Sequence, residues 1–497
     1  AYERTNERAY DKFNDISPVS ASMQFPEDRR SRNPLITKAG FENFLRLRQH
    51  PHAPIWNFET GDRIIKEDVE DVKNFEKSLK KLRTPYGKKP PERIIKWIYS
   101  LQDQVPAFSK NIPGTPNMES GIKPDIKSGW QNISTLERKD IAVHPENFVP
   151  LNSDLSRLIV YDTSGSTGHC LAVPHHPAAL GKVLPMMEFV LERYNIRPEF
   201  SPDMTACINV GTQAHTVIFP NVITLWNEAG FAKVNLHPGD WRKSEDANRF
   251  FSDMAAPLIT GDPVSFAEMM RWQINIRPEA MFATALRMPE DLSQKLAEYF
   301  NCPIIDWYSV SETGPIGYIC PEQNGFHILP HDIFVEILDS NGNQVPDGQL
   351  GEITVTGGRN PYLPLLRYKT GDTGSMDSAP CPCGDPMPRI MNLSGREPVL
   401  FYTPDKKIIN PVDIGRALRD VAFVQYSLVQ REDFSCDLTW QPMFENQFLD
   451  PDTVRKKLAI LFGDDIFFRI KKEKLSKHGG ESEKVRVYRS ELWGKLL

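Results

Sequence analysis

The sequence predicts an α/β fold built on a largely parallel sheet, and three observations predict it. Between 157 and 307, short apolar runs alternate with stretches of amphipathic helical spacing, the pattern of strands covered by helices on both faces. Thr163-Ser164-Gly165-Ser166-Thr167-Gly168 follows the apolar, β-branched Leu158-Ile159-Val160, so a run of small and hydroxylated residues sits where a buried strand turns over. From 326 to 360 the pattern changes to short strands around Asn341-Gly342-Asn343, a tight-turn signature of antiparallel pairing.

In order along the chain, residues 1–35 are polar and broken by Pro18, Pro26 and Pro34, and read as a surface wrap. Helical spacing recurs at 40–48, at 65–82 (Ile65, Val69, Val72, Phe75, Leu79) and at 92–105 (Ile94, Ile95, Ile98, Leu101). Residues 1–150 are read as a helical and extended region packed on the main body; a separate recognition module is the rival reading, and no chemistry is visible in it. Pro, Gly, Asn and Ser make 106–150 an extended approach to the first core strand. The alternation then runs through strand 157–162, helix 177–195, strand 205–210, the run 218–229, a strand near 231–236 and helix 244–254. It continues through 257–260, helix 264–273, strand 279–284, helix 290–300 and strand 303–307. Ligands of such sheets gather at the carboxyl ends of strands, where the Thr163 loop and the stretch from Tyr308 both fall.

Composition narrows the function classes. A chain of 497 residues has room for two to four domains, and 40% hydrophobic with 25% charged residues is ordinary for a soluble globular protein. A net charge of −6 leaves no basic excess to release counterions, so a general nucleic-acid binder is excluded, with Lys-rich 471–477 the one local exception. No apolar run is long enough to span a membrane and no signal-like stub opens the chain, so a cytoplasmic protein is expected. Seven cysteines are too few for a disulfide scaffold, and Cys170, Cys207, Cys302 and Cys436 read as small buried hydrophobes.

The 163–168 loop suits an anion, because its glycines admit phosphate oxygens close to the backbone and its hydroxyls add donors; it lacks Walker spacing. Three further stretches follow: Asp306-Trp307-Tyr308-Ser309-Val310-Ser311-Glu312-Thr313-Gly314, Leu366-Arg367-Tyr368-Lys369-Thr370-Gly371-Asp372, and Ser394-Gly395-Arg396 preceded by Pro388-Arg389-Ile390. In this order and at these separations, the four resemble the core motifs of the AMP-forming adenylating superfamily, in its phenylacetate-CoA ligase-like branch. The resemblance runs from about residue 155 to the C-terminus. It implies an adenylating core over 151–395 with a small β-barrel at about 326–395. A small mobile α+β lid would follow over 396–497, with helices near 411–420 and 451–463 and strands at 424–430 and 466–470.

It also implies roles. Joining a carboxylate to AMP is mostly positioning and neutralisation of spreading negative charge. Thr163, Ser164, Gly165, Ser166, Thr167 and Gly168 would clamp the β- and γ-phosphates of ATP, and Glu312 would hold Mg²⁺. Tyr308 would stack on adenine with Ser309 beside it, Asp372 would accept from the ribose hydroxyls, and Arg389 and Arg396 would complete the nucleotide contacts. Lys484 matches the lysine that a lid brings to the acyl carboxylate and α-phosphate; Lys472, Lys474 and Lys477 compete for that role. His215, in Gly211-Thr212-Gln213-Ala214-His215, matches a residue bordering the acid, with a structural histidine as the rival. Phe219, Trp226 and Trp307 are candidates to line an aromatic-acid pocket, core packing being the alternative.

Cys320-x6-His327 and Cys381-Pro382-Cys383-Gly384 bring four soft or borderline ligands in two pairs, which suits a closed, structural tetrahedral Zn²⁺. Phenylacetate-CoA ligase-like members can carry such a Cys-Pro-Cys-Gly stretch. Three departures bear on the second half-reaction: His169 stands where the loop usually has Lys, Pro398 follows Arg396-Glu397 at the expected hinge, and Asp405–Pro411 lacks the glycine that lets pantetheine pass. Adenylation is therefore better supported than thioester formation. The expected protein is an ATP-dependent, AMP-forming ligase that activates a carboxylic, by preference aromatic, acid and hands it to coenzyme A. Transfer to an amine, nitrite, hydroxyl or protein thiol is the first alternative, and a degenerate, non-catalytic nucleotide-binding protein is the second. Its partners would be the small acid, ATP/AMP and the acyl acceptor, with a homodimer as the assembly considered.

Overall fold

The computed structural model describes residues 27–81, 87–112, 126, 129–162, 171–322, 324–329, 331–394, 399–418, 421, 425–441, 448–473 and 488–492. Ile159–Asp162 (β1) and Ala172–His175 (β2) pair antiparallel, from Ile159 opposite His175 to Asp162 opposite Ala172. The hydroxyl-rich loop, Thr163 to His169, falls between them and outside the described residues.

The apolar runs that follow build one sheet. Its strands are Thr205–Gly211 (β3), Phe219–Ile223 (β4), Ala229–Asn235 (β5), Leu258–Gly261 (β6), Ala280–Ala283 (β7), Ile304–Val310 (β8), Gly314–Ile319 (β9), Phe326–Ile328 (β10), Ile333–Leu338 (β11), Gly351–Gly357 (β12), Leu365–Asp377 (β13) and Arg389–Ser394 (β14). The hydrogen-bonded order is β11-β12-β13-β14-β10-β9-β8-β7-β6-β3-β5-β4. The strands β5, β3, β6, β7 and β8 are parallel neighbours, whereas every pairing from β8 out to β11 is antiparallel. Thus β8 is the seam between the expected parallel core and the expected antiparallel region. Among the described residues the order is open from β11 to β4, so these ladders do not close the barrel that was expected.

Helical spacing puts each flanking helix on a face of the parallel part. Helices Asp246–Met254, Pro263–Arg271 and Glu290–Phe300 bury Phe250, Phe251, Phe266, Leu296 and Phe300 against Ile208, Val210, Val234 and Met281. On the opposite face, Met186, Met187, Val190 and Leu191 of helix Val183–Arg193 cover Cys207, Phe282, Ile305 and Trp307. The expected 177–195 helix is two pieces, Pro177–Gly181 and Val183–Arg193, joined at Lys182. The run 218–229 contains the edge strand β4, antiparallel to β5. Pro220 is tolerated there because one side of an edge strand needs no donor.

Leu47 and Ala53 join the core around Ile208, Phe75 and Leu79 join that around Val190, and Ile94, Ile98, Trp130 and Leu136 pack with Leu365, Leu366 and Tyr368. At the other end, Phe401–Tyr402 (β15) pairs with Ile408–Ile409 (β16). Gln425–Gln430 (β17), Cys436–Gln441 (β18), Phe468–Lys472 (β19) and Tyr488–Ser490 (β20) form a four-stranded sheet ordered β19-β18-β17-β20. This sheet has its own core of Leu428, Leu438, Leu458, Phe462 and Phe468 beneath helix Pro451–Phe462, whose N-cap Asp450 accepts from the amides of Asp452 and Thr453. No described helix is long and apolar enough to cross a membrane.

Candidate active site and metal centre

Two irregular strands meet at the carboxyl end of β8. In β13, Glu352 opposes Thr373 and Thr354 opposes Lys369, so Thr370, Gly371 and Asp372 bulge out across from Ile353 alone. Gly371 at φ +78° makes the bulge affordable, and Thr370 Oγ1 ties it down by donating to the Ile353 carbonyl at 2.9 Å. A second register shift lies between Tyr308 and Ser309 on β8, just before the Ser311–Thr313 turn. The two irregularities bring Tyr308 against Asp372, while Glu312 in the turn meets Tyr368 of β13.

The buried Tyr308 hydroxyl donates to Asp372 Oδ2 at 3.2 Å, with Thr370 Oγ1 at 3.4 Å as a second acceptor, and its ring meets Phe326 edge-on. Burial and the Asp372 carboxylate push its phenol well above the ordinary range, so it stays a donor at any physiological pH. Glu312 is 4% exposed; its Oε1 accepts from Tyr368 at 2.9 Å and from Arg138 at 3.0 Å. Among the described residues none reaches Oε2. A buried carboxylate with one oxygen held and the other open fits a divalent cation that prefers oxygen ligands. Arg138 was not foreseen, because a lone arginine in a loop-rich stretch carries no sequence signal.

The 212–215 segment is gripped from two sides. Asn235 of β5 exchanges hydrogen bonds with Gln213 at 2.9 and 2.8 Å. From the C-terminal part, Asn410 donates to the Thr212 carbonyl at 2.9 Å, Asp413 Oδ2 accepts from the Ala214 amide at 2.8 Å, and Arg416 donates to the His215 carbonyl. The His215 side chain itself is exposed. Trp226 stacks on Phe200 at 4.4 Å and donates to Glu188, and Trp307 packs edge-on against Phe282, so both are core residues rather than pocket lining. Phe219 is half-buried between Phe58 and Phe231. Lys472 lies over the Trp440 ring in the C-terminal sheet. Lys474, Lys477, Lys484, Arg396 and Pro398, like the 163–168 loop, lie outside the described residues.

The ligand atoms of Cys320, His327, Cys381 and Cys383 all lie within 4.8 Å of one another. Cys320 Sγ is 3.4 Å from Cys381 Sγ, and Cys383 Sγ is 3.2 Å from His327 Nε2. Edges of about 3.5–3.8 Å are those of a tetrahedron around zinc. A carbonyl only accepts, so the 2.9 Å contact of His327 Nδ1 with Met387 O fixes the proton on Nδ1 and leaves Nε2 as a ligand. The amides of Glu322 and Asp385 donate to Cys320 Sγ and Cys383 Sγ, each at 3.4 Å and each two residues downstream of its cysteine, which favours thiolates. Burial pushes the Cys320 thiol up to about 12. At Cys381 the same effect is outweighed by the Cys383 amide, the neighbouring thiols and Arg389, and its thiol is lowered. The donor set therefore fits zinc.

Arg389 was expected at the nucleotide and is engaged elsewhere. It is 3% exposed, pairs with Asp377 at 2.6 Å and approaches Cys381 Sγ at 3.6 Å. Its β14 position places it beside β10 and the cysteine cluster, where it acts as a structural tie.

No family model matches the chain. It is similar to Protein CapK of Staphylococcus aureus, 25% identical over 167 residues covering 33% of this chain and 35% of that one. It is also similar to a phenylacetate-coenzyme A ligase of Thermus thermophilus, 32% identical over 129 residues covering 25% and 28%. These matches span about a third of the curated relatives' length. In fold, the chain is similar to 2-hydroxyisobutyryl-CoA ligase solved with 2-HIB-AMP and CoA in the thioesterification state, with a TM-score of 0.53, 15% identity, and coverage of 89% of this chain and 98% of that one. The motifs thus stand in order on a fold similar to that of this ligase.

Proposed function

We propose that this chain is an AMP-forming adenylating enzyme, which converts a carboxylic acid and ATP into an acyl adenylate and passes the acyl group to coenzyme A. The observation that carries the reading is the hydrogen bond of Tyr308 to Asp372 at 3.2 Å with that of Tyr368 to Glu312 at 2.9 Å, which join the two motifs twice. Asp372 is the double acceptor for the ribose hydroxyls, and the Tyr308 hydroxyl orients it. Glu312 would hold Mg²⁺, whose charge would offset that of the phosphates. The 163–168 loop clamps the β- and γ-phosphates, Arg396 adds charge near the ribose, and Lys484 bridges carboxylate and α-phosphate. His215 marks the acid's end of the site, and an aromatic acid leads the panel to be tried.

Pyrophosphate exchange into ATP, measured with a panel of acids, tests the reading; a chain that exchanges with none of them is not an adenylating enzyme. Loss of free thiol in the presence of CoA then tests the acceptor. An acceptor other than CoA is the second reading, favoured by Asn410 and Asp413, whose side chains fasten the C-terminal part to Thr212 and Ala214 where the sequence lacks a glycine for pantetheine. The Cys320, His327, Cys381, Cys383 cluster holds a structural Zn²⁺ that ties the strand after β8 to the segment before β14. Less than about half an equivalent of zinc in fresh protein would remove that assignment. No disulfide joins the described cysteines.

A further inference from the structure

Glu312 is held by a residue that lies before any of the motif stretches. Arg138 reaches it because the preceding segment is stitched to β13: the Leu136 amide donates to Arg367 O at 3.0 Å and the Lys369 amide donates to Leu136 O at 2.8 Å, which sets Leu136 alongside Tyr368. Glu137 and Asp140 then form a reciprocal capping box that starts helix Arg138–Val143, and Ile141 anchors it, fully buried. Arg138 is thereby directed onto the same Oε1 that Tyr368 contacts.

We propose that Arg138 is a positioning residue for the divalent cation of the bound nucleotide, fixing Glu312 through Oε1 so that Oε2 is presented to the metal. The inference rests on the adenylating reading of the site. Two effects of the guanidinium compete. Its donor holds the buried carboxylate in one rotamer, and partners of this kind typically contribute 10–100-fold to metal affinity. Its positive charge opposes the cation, but the side chain is 24% exposed and lies on the far oxygen, so solvent screens that repulsion and orientation wins. The sign of the mutational effect therefore separates the two.

The test is a titration of the full chain, loaded with α,β-methylene-ATP, with Mn²⁺ followed by the EPR signal of the free ion. Wild type should bind one Mn²⁺ with the nucleotide. Arg138→Gln and Tyr368→Phe should each raise the Mn²⁺ dissociation constant about tenfold or more, with a smaller change in nucleotide affinity measured in EDTA, and Arg138→Lys should recover part of the loss. Unchanged or tighter Mn²⁺ binding in Arg138→Gln or, should that variant not fold, in Tyr368→Phe overturns the inference. A wild-type chain that binds neither nucleotide nor Mn²⁺ would overturn the adenylating reading, and this inference with it.

Discussion

Replacing Arg367 by Met tests whether a buried charge keeps the N-terminal region in register with β13. Arg367 is 1% exposed at φ +48°, donates to the carbonyls of Ile133, Gln131 and Gly342 at 2.7, 3.3 and 2.8 Å, and has Nε 3.4 Å from the equally buried Glu336. Burial pushes the Glu336 carboxyl up, and Arg367 is the leading influence in the other direction. Methionine fills much of the volume but leaves Glu336 without its counter-charge and three carbonyls without a donor, a change that costs about 3–5 kcal/mol. The segment Leu136 to Lys369 is held by two amides whose exchange reports local opening. Hydrogen–deuterium exchange at the Leu136 and Lys369 amides should therefore accelerate by roughly 10²–10³-fold or more, while amides in β6 and β7 keep their protection. Adding Glu336→Gln, which still accepts from Trp130, should recover part of the loss, with a coupling of at least about 1 kcal/mol. Acceleration below about tenfold in the single variant, or no recovery in the double, would refute the stitch.

Other outcomes follow from the same geometry. Asp372→Ala should raise the KM for ATP in pyrophosphate exchange by about tenfold or more, since a charged acceptor for two hydroxyls is removed; a wild-type KM would take Asp372 out of the nucleotide site. Cys383→Ser should lower both zinc content and melting temperature, whereas Cys302→Ser, outside the cluster, should leave zinc content unchanged. Asn410→Gly should spare pyrophosphate exchange while altering the rate of acyl transfer, read by thiol loss or product release. Burial pushes the Asp306 carboxyl up to about 7, so the folded chain holds a proton that the unfolded chain releases above about pH 4. That contribution is complete below pH 4 and is lost as pH rises to 7. Asp306→Asn, which keeps an acceptor for the Met288 amide, should therefore gain on wild type through this window, by up to about 4 kcal/mol at pH 8 in urea unfolding.

The parallel half was legible because its helices carry strong spacing: 290–300 is helix Glu290–Phe300, and 244–254 differs from Asp246–Met254 by two residues. The antiparallel half was less so. β13 is buried along much of its length and bulges at Thr370–Asp372, so neither alternation nor continuous hydrophobicity marks it out. The gathering of the two Cys/His pairs was legible in their spacing, and the meeting of Tyr308 with Asp372 in the order of their motifs. Arg138, Tyr368 and the true employment of Arg389 could not, since each depends on which strands become neighbours across long separations. Trp226 and Trp307 take the core alternative open to aromatic residues near strand ends.

β13 touches three centres in thirteen residues: Arg367 and Tyr368 at the N-terminal stitch, Asp372 beside Tyr308, and Asp377 on the arginine that braces the cysteines. Side chains alternate along a strand, so inserting or deleting one residue within it would turn each following member to the wrong side. The strand is thus frozen in length, and a homologue with a longer β13 should have given up at least one of its three anchor points.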